Sequence, residues 1–253
     1  MNRQHYSYTH YASKEVAEEF DTLRFSGPIG QYLLHEQEDL LMSAFRPLGA
    51  GDDEHALAGC SVLDVGTGTG RAAIGLARAG ATVVGVDASA EMLEVARGRA
   101  GEAGVDVVFD AGDAHALPFP GNHFDAAVSL RVLMHTPDWV RCVGELCRVA
   151  RRRVVVDFPS LSSLAAIESG ARFARRAIGH QVEAYRVMAE RQVIAAFDAN
   201  GFRVVRIHRQ FVLPIALHKA IGSLAFTRGV ERALAMAGLL WLAGSPVTMV
   251  AER

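Results

Sequence analysis

The sequence predicts an α/β domain wound on both faces of a mostly parallel sheet. Three observations carry that expectation. Short apolar runs alternate with helical patterns from about residue 60 to residue 158, as in strands joined by helical crossovers. The first run leads straight into a glycine-rich turn, "VLDVGTGTGRAAIG", with glycines at positions 66, 68 and 70. Asp64, Asp87 and Asp113 close the first three runs, at the edge where open α/β sheets bind their ligands.

The elements follow in order. Residues 1–50 form a polar arm dotted with aromatics, with two helical patterns. In "SKEVAEEFDTL", Ser13 is an N-cap and Glu15 stands in the first turn, where the helix dipole favours an acid. In "IGQYLLHEQEDLLMSAF", Tyr32, Leu33, Leu40, Leu41 and Phe45 share one face. "CSVLDVG" is the first strand and "GRAAIGLARAG" its helix; "TVVGVD" is the second, followed by "SAEMLEVARGRAGEAG" with Ser89 as N-cap. "VDVVFDAGD", "FDAAVSL" and "RRVVVDFP" are the next three strands, with "PDWVRCVGELCRVA" a helix before the last of them. "VEAYRVMAERQVIAAFDANG" reads as one long helix, "FRVVRIHRQFVL" alternates like a strand, and "SPVTMVAER" closes the chain after an apolar helical stretch.

Composition narrows the possibilities. Half of the 253 residues are hydrophobic and the net charge is -2, which suits a globular domain with a large core. Of the 26 basic residues all but Lys14 and Lys219 are arginine, spread along the chain and balanced by 28 acids. That is a codon preference rather than a nucleic-acid footprint, which needs a basic excess on one face. Cys60, Cys142 and Cys147 form no CxxC pair and are expected as core thiols of a reducing, cytoplasmic compartment. "MNRQHYSYTHYASKE" lacks the apolar core of a signal peptide. The run "ALAMAGLLWLAG" is too short for a membrane span, which needs about 20 residues; peripheral membrane contact stays open. The spacing of the histidines and acids matches no metal motif.

The glycine turn admits two readings, a pyrophosphate cradle or a nucleoside pocket. A dinucleotide fingerprint started at Gly66 and Gly68 needs a small residue where Arg71 stands. Started at Gly68, Gly70 and Ala73 it fits, but four residues after Asp64, a long turn for a cradle. Asp64 itself would repel a pyrophosphate and attract an ammonium group. Asp87 can accept from ribose hydroxyls. The Asp113 carboxylate can accept from an adenine amino group while the Ala114 amide donates to a ring nitrogen.

The order VLDVGTGTG, VVGVDAS, EML, FDAGDAHALPF and HFDAAVSLRVLMH resembles class I S-adenosylmethionine-dependent methyltransferases, in particular the ubiquinone/menaquinone-biosynthesis branch and its small-molecule relatives. The resemblance covers about residues 58–160 by motif. It implies a seven-stranded sheet of order 3-2-1-4-5-7-6, residues 1–50 as a helical lid, and residues 51–253 as the domain that binds S-adenosylmethionine and releases S-adenosylhomocysteine (SAH). Within that domain, apolar insertions are expected at about 160–180 and 213–243. It also implies roles. Gly66, Thr67 and Gly68 pass their backbone along the methionine part, and Asp64 orients its amino group. Asp87, with Ala88 beside it, holds the ribose. Met92 lies under the adenine or is plain helix core, Asp113 and Ala114 read the adenine edge, and Leu130 and Arg131 border the sulfonium. Tyr11 and Arg24 of the arm reach the methionine carboxylate, or the arm is simply packed. Members of the branch often carry Pro-Gly-Gly before the fifth strand; here Arg151, Arg152 and Arg153 stand instead, a solvated run or an anion patch.

For the acceptor side, His135 just past the fourth strand is the base candidate, since imidazole titrates near neutral pH; the alternative is a packed or capping histidine. His115 and His123 are expected at the surface. The apolar segments are walls for a greasy acceptor or core helix. The expectation is thus an enzyme that methylates a hydroxyl or activated carbon of a hydrophobic small molecule, quinone-like or a secondary metabolite. A protein methyltransferase and a non-catalytic donor-binding subunit are the alternatives.

Overall fold

The computed structural model describes residues 25–52, 55–163 and 186–253. Seven strands form one sheet in the order β3-β2-β1-β4-β5-β7-β6. In chain order, α1 (Gly27–Phe45) precedes β1 (Ser61–Val65), α2 (Arg71–Arg78), β2 (Thr82–Asp87), α3 (Ala90–Ala103), β3 (Val107–Ala111) and β4 (Phe124–Ser129). Then come α4 (Trp139–Val149), β5 (Ala150–Phe158), α5 (Glu190–Ala199), β6 (Arg203–Phe211), α6 (Ile215–Ile221), α7 (Leu224–Met236), α8 (Leu239–Ala243) and β7 (Ser245–Glu252). Strands β1 to β5 pair in parallel. β7 runs antiparallel between β5 and β6, as a chain must when it returns without an ordinary crossover.

The central strands are apolar on both faces because both faces are covered. Side chains alternate across a strand, so Leu63, Val154, Val156 and Met249 fall in one core cluster with α4 and α5 residues such as Leu146 and Phe197. Val62, Val128, Val155 and Val250 fall in the other, with Phe45, Leu76 and Leu93 of α1, α2 and α3. Helix α1 is therefore part of the core layer through Leu41, Ala44 and Phe45. The expected arm helix from Ser13, with Tyr11 and Arg24, lies outside the described residues. The caps are those the sequence offers: Ser89 Oγ accepts from the Met92 amide at 3.1 Å, and Asp138 from the Arg141 amide at 3.1 Å.

Two expectations are corrected. The long tail helix begins only at Glu190. Before it, Met188 is extended: its amide donates to Pro159 O and its carbonyl accepts from Leu161, each at 2.9 Å. This bridge buries Met188, and a helix there would break it. The arginine run is not uniformly solvated. Arg153 is buried, donating to the carbonyl of Ala44 and to Glu252, while Arg151 pairs with Asp125 at 3.1 Å. No tight turn is needed because α4 passes directly into β5 at Ala150. The three cysteines are buried and free, and burial pushes Cys142 and Cys147 up to about 12, as inert core thiols.

Candidate functional site

The carboxyl ends of β1, β2 and β4 open onto a cavity of about 170 Å³. The glycine turn builds its floor. Gly66, Gly68 and Gly70 have φ of 72°, 55° and 81°, a region that L side chains rarely adopt. Space forbids a side chain too: a Cβ on Gly66 would stand 2.2 Å from Val132 Cγ2. The amides of Gly66 and Thr67 donate to the Val86 carbonyl at 2.7 and 3.0 Å, tying the turn to β2. Gly70 then starts α2.

Two carboxylates flank this turn. Asp64 is fully buried; Thr67 Oγ1 donates to it at 2.7 Å. Burial, opposed by the Thr67 bond and reinforced by the charge of Asp87, pushes Asp64 up to about 6. Asp87 accepts from the Gly68 amide at 2.8 Å and the Ser89 amide at 2.9 Å. Burial raises its pKa, and the Ser89 and Gly68 amides oppose that rise. Each carboxylate oxygen has two acceptor sites, so Asp87 keeps capacity for two hydroxyl donors.

Asp64, Gly66, Thr67, Gly68, Asp87, Ala88, Met92, Ala114, Leu130, Arg131 and His135 all line the one cavity. Asp113 does not. Its carboxylate folds back to accept from the His115 amide at 2.9 Å and to meet His115 Nδ1 at 2.7 Å, an Asx-type turn. His115, expected at the surface, lines the cavity instead. Its Nε2 is buried without a hydrogen-bond partner among the described residues. With Nδ1–H donated to Asp113, the neutral ring leaves Nε2 as an acceptor. His123 is exposed, as expected.

Past β4, Arg131 has φ 61°, a conformation costing about 1–2 kcal/mol for a side-chain-bearing residue. Its amide donates to the buried carboxylate of Asp157 on β5, which holds it there. The turn sends Leu133–His135 into a short 3-10 helix, and places His135, buried, against the cavity. Gln37 and Arg71 also line it, without having been singled out from the sequence. Arg71 Nη1 donates to Gln37 at 3.4 Å, and its guanidinium sits 3.8 Å over the Phe25 ring. Only the position of Arg71 beside the glycine turn could have signalled this; Gln37 comes from α1, far off in sequence. No described residue beyond Pro137 lines this cavity, so the 213–243 stretch contributes none of its wall.

An α/β sheet with this order, a glycine turn and acids at the ends of β1 and β2 frame a cavity suited to a nucleoside-like ligand. Residues 62–153 match the family model described as a methyltransferase domain. Methyltransferase GfsG of Streptomyces halstedii is 43% identical over 97 residues, 37% of this chain and 35% of that protein. Demethylmenaquinone methyltransferase of Thermus thermophilus is 42% identical over 103 residues, 39% of this chain and 47% of that one. The chain thus spans between a third and a half of the length of these curated relatives. The crystal structure of magnesium protoporphyrin IX methyltransferase from Synechocystis PCC 6803 with bound SAH aligns over 98% of both chains, at 20% identity and a TM-score of 0.68. That likeness shows the fold.

The cavity fits S-adenosylmethionine. A buried carboxylate raised to about 6 gains from an ammonium group beside it. Asp87 suits a diol, and His115 Nε2 is a buried acceptor awaiting a donor. Among the described residues, no group of histidines, cysteines and acids could hold a metal ion.

Proposed function

We propose that the protein is an S-adenosylmethionine-dependent methyltransferase acting on a hydroxyl or activated carbon of a hydrophobic small molecule. The observation that carries the donor half is the convergence of Asp64, the glycine turn and Asp87 on one cavity. Bound there, S-adenosylmethionine supplies a methyl group already activated on a sulfonium. Asp64 holds the ammonium, and the amides around Gly68 leave room for the methionine chain. Asp87 accepts from the ribose hydroxyls, and Ala88 and Met92 pack beside them. The adenine edge is read by His115 Nε2 and the Ala114 backbone, with Asp113 orienting the imidazole rather than touching the base. Leu130 and Arg131 border the transfer point. Tyr11 and Arg24 are proposed for the carboxylate.

Chemistry of this kind asks the protein for alignment and exclusion of water. A protonated nucleophile also needs a base, and His135 at the cavity wall takes that proton. The name of one relative, demethylmenaquinone methyltransferase, supports an apolar acceptor.

The test has two arms. Calorimetry compares SAH with NAD: binding of NAD and not SAH refutes the donor assignment. A ligand at a hundredfold its Kd should stabilise by about 2.7 kcal/mol. Incubation with labelled donor and a metabolite extract then follows the methyl group. Label in an apolar small molecule is expected; label in protein makes this a protein methyltransferase, and none, with SAH bound, a donor-binding subunit.

A further inference from the structure

The helical excursion between β6 and β7 ends in a tip that the fold leaves bare. Met236 is 81% exposed, Trp241 71% and Leu242 56%, with Leu239 also exposed. These four come from the end of α7 and from α8, within seven residues of chain. The segment 233–243 carries no charge. Single exposed apolar residues are ordinary, but a cluster of this size at one tip marks an interaction surface.

The charges around it point to the partner. Residues 212–244 contain Lys219, Arg228, Glu231 and Arg232 as their only Lys, Arg, Asp or Glu. The single acid is turned inward. Glu231 accepts from the Val212 and Leu213 amides at 2.8 and 2.9 Å and meets His218 Nε2 at 2.8 Å. Arg228 and Arg232 are exposed, Arg228 with its guanidinium 5.1 Å over the Tyr32 ring of α1. At four-residue spacing they share a helix face with Met236. The outward surface is thus apolar at its tip and cationic along the helix leading to it.

We propose that this tip docks onto an anionic lipid surface. Met236, Leu239, Trp241 and Leu242 enter the interface, and Arg228 and Arg232 face the headgroups. Interfacial helices combine these same features, and Trp is enriched at membrane boundaries. Among the described residues, no helix is long and apolar enough to cross a membrane. A second copy is a poorer occupant, because a self-complementary contact sets the patch against itself, and the patch offers its arginines no outward acid. The inference is independent of the donor reading.

The test is cosedimentation of the intact protein with vesicles of phosphatidylcholine alone or with about a third phosphatidylglycerol. Binding is expected to the anionic vesicles, to weaken with salt, and to fall at least about tenfold in Met236→Ser/Trp241→Ser/Leu242→Ser. Arg228→Gln/Arg232→Gln should lose the preference for phosphatidylglycerol while keeping weak binding. Calorimetry with SAH and circular dichroism verify that the variants fold. No cosedimentation, or binding that the triple variant retains, overturns the proposal. So does a lipid-free dimer that the triple variant dissociates, which would assign the face to a second copy.

Discussion

The two halves of the sheet are built by different means. At the ends of β1 and β2 the cavity is made largely by backbone: three glycines with positive φ, amides on the Val86 carbonyl, and amides on the Asp87 carboxylate. Around β5, β6 and β7 the connections are side-chain pairs, such as Arg153 with Glu252, Arg209 with Glu190, and His218 with Glu231. A backbone-built site demands particular residues at fixed spacing. A side-chain-built shell accepts many solutions. Accordingly the family model matches residues 62–153 and the relatives at about 40% identity align over 97 and 103 residues, while a structure at 20% identity aligns over 98% of the chain.

The sharpest way to separate the halves is to damage chemistry on one side and binding on the other. His135→Ala should lower kcat by about 10²–10⁴ and flatten the acidic limb of the pH–rate profile. Donor affinity by calorimetry should scarcely move. Retention of near-wild-type kcat would reduce His135 to packing and leave proton removal to water or the arm.

Asp64 couples the donor side to pH. Its folded value, about 6, lies above the ordinary 3.8, so the folded state binds this proton more tightly than the unfolded chain does. The stability it contributes is full below about pH 4 and is lost as pH rises through 6, on the order of 3 kcal/mol in total. Urea titrations of wild type and Asp64→Asn across that window should differ in slope. An ammonium beside Asp64 reverses the preference. SAH binding near pH 6 should therefore release a proton, read as a binding enthalpy that varies with buffer. A buffer-independent enthalpy would move the ammonium elsewhere.

Asp87→Ala should weaken SAH binding by about 1.5–3 kcal/mol with the fold retained in circular dichroism. Unchanged affinity would place the ribose away from β2.

The smallest effects test the backbone argument itself. Gly66→Ala meets both a positive φ and Val132 and should destabilise by about 2 kcal/mol in thermal unfolding. Gly98→Ala, mid-helix in α3 with nothing within 4 Å of the new Cβ, should stabilise by about 1 kcal/mol. The same substitution with the same sign at both positions would dissolve the distinction.

The amino-acid string by itself determined the alternation of elements, the glycine turn, Asp64, Asp87 and the Ser89 cap. These rest on local rules: period, turn geometry and capping act within a few residues, so their signals are printed side by side. It also carried His135 to the right strand end, because connection order sets which edge a loop joins. Only the tertiary structure decided what depends on long-range contact. Asp113 turned to His115 and brought a supposed surface histidine into the cavity. Arg153 left its charged run for Ala44, from 109 residues away in sequence. Met188 gave up a helical pattern for a bridge to Ser160, and the apolar 213–243 stretch, expected as a wall, became an exposed tip. For Arg153 and Met188 the local preference is worth about 1 kcal/mol or less, and the pairing with a distant partner outweighs it.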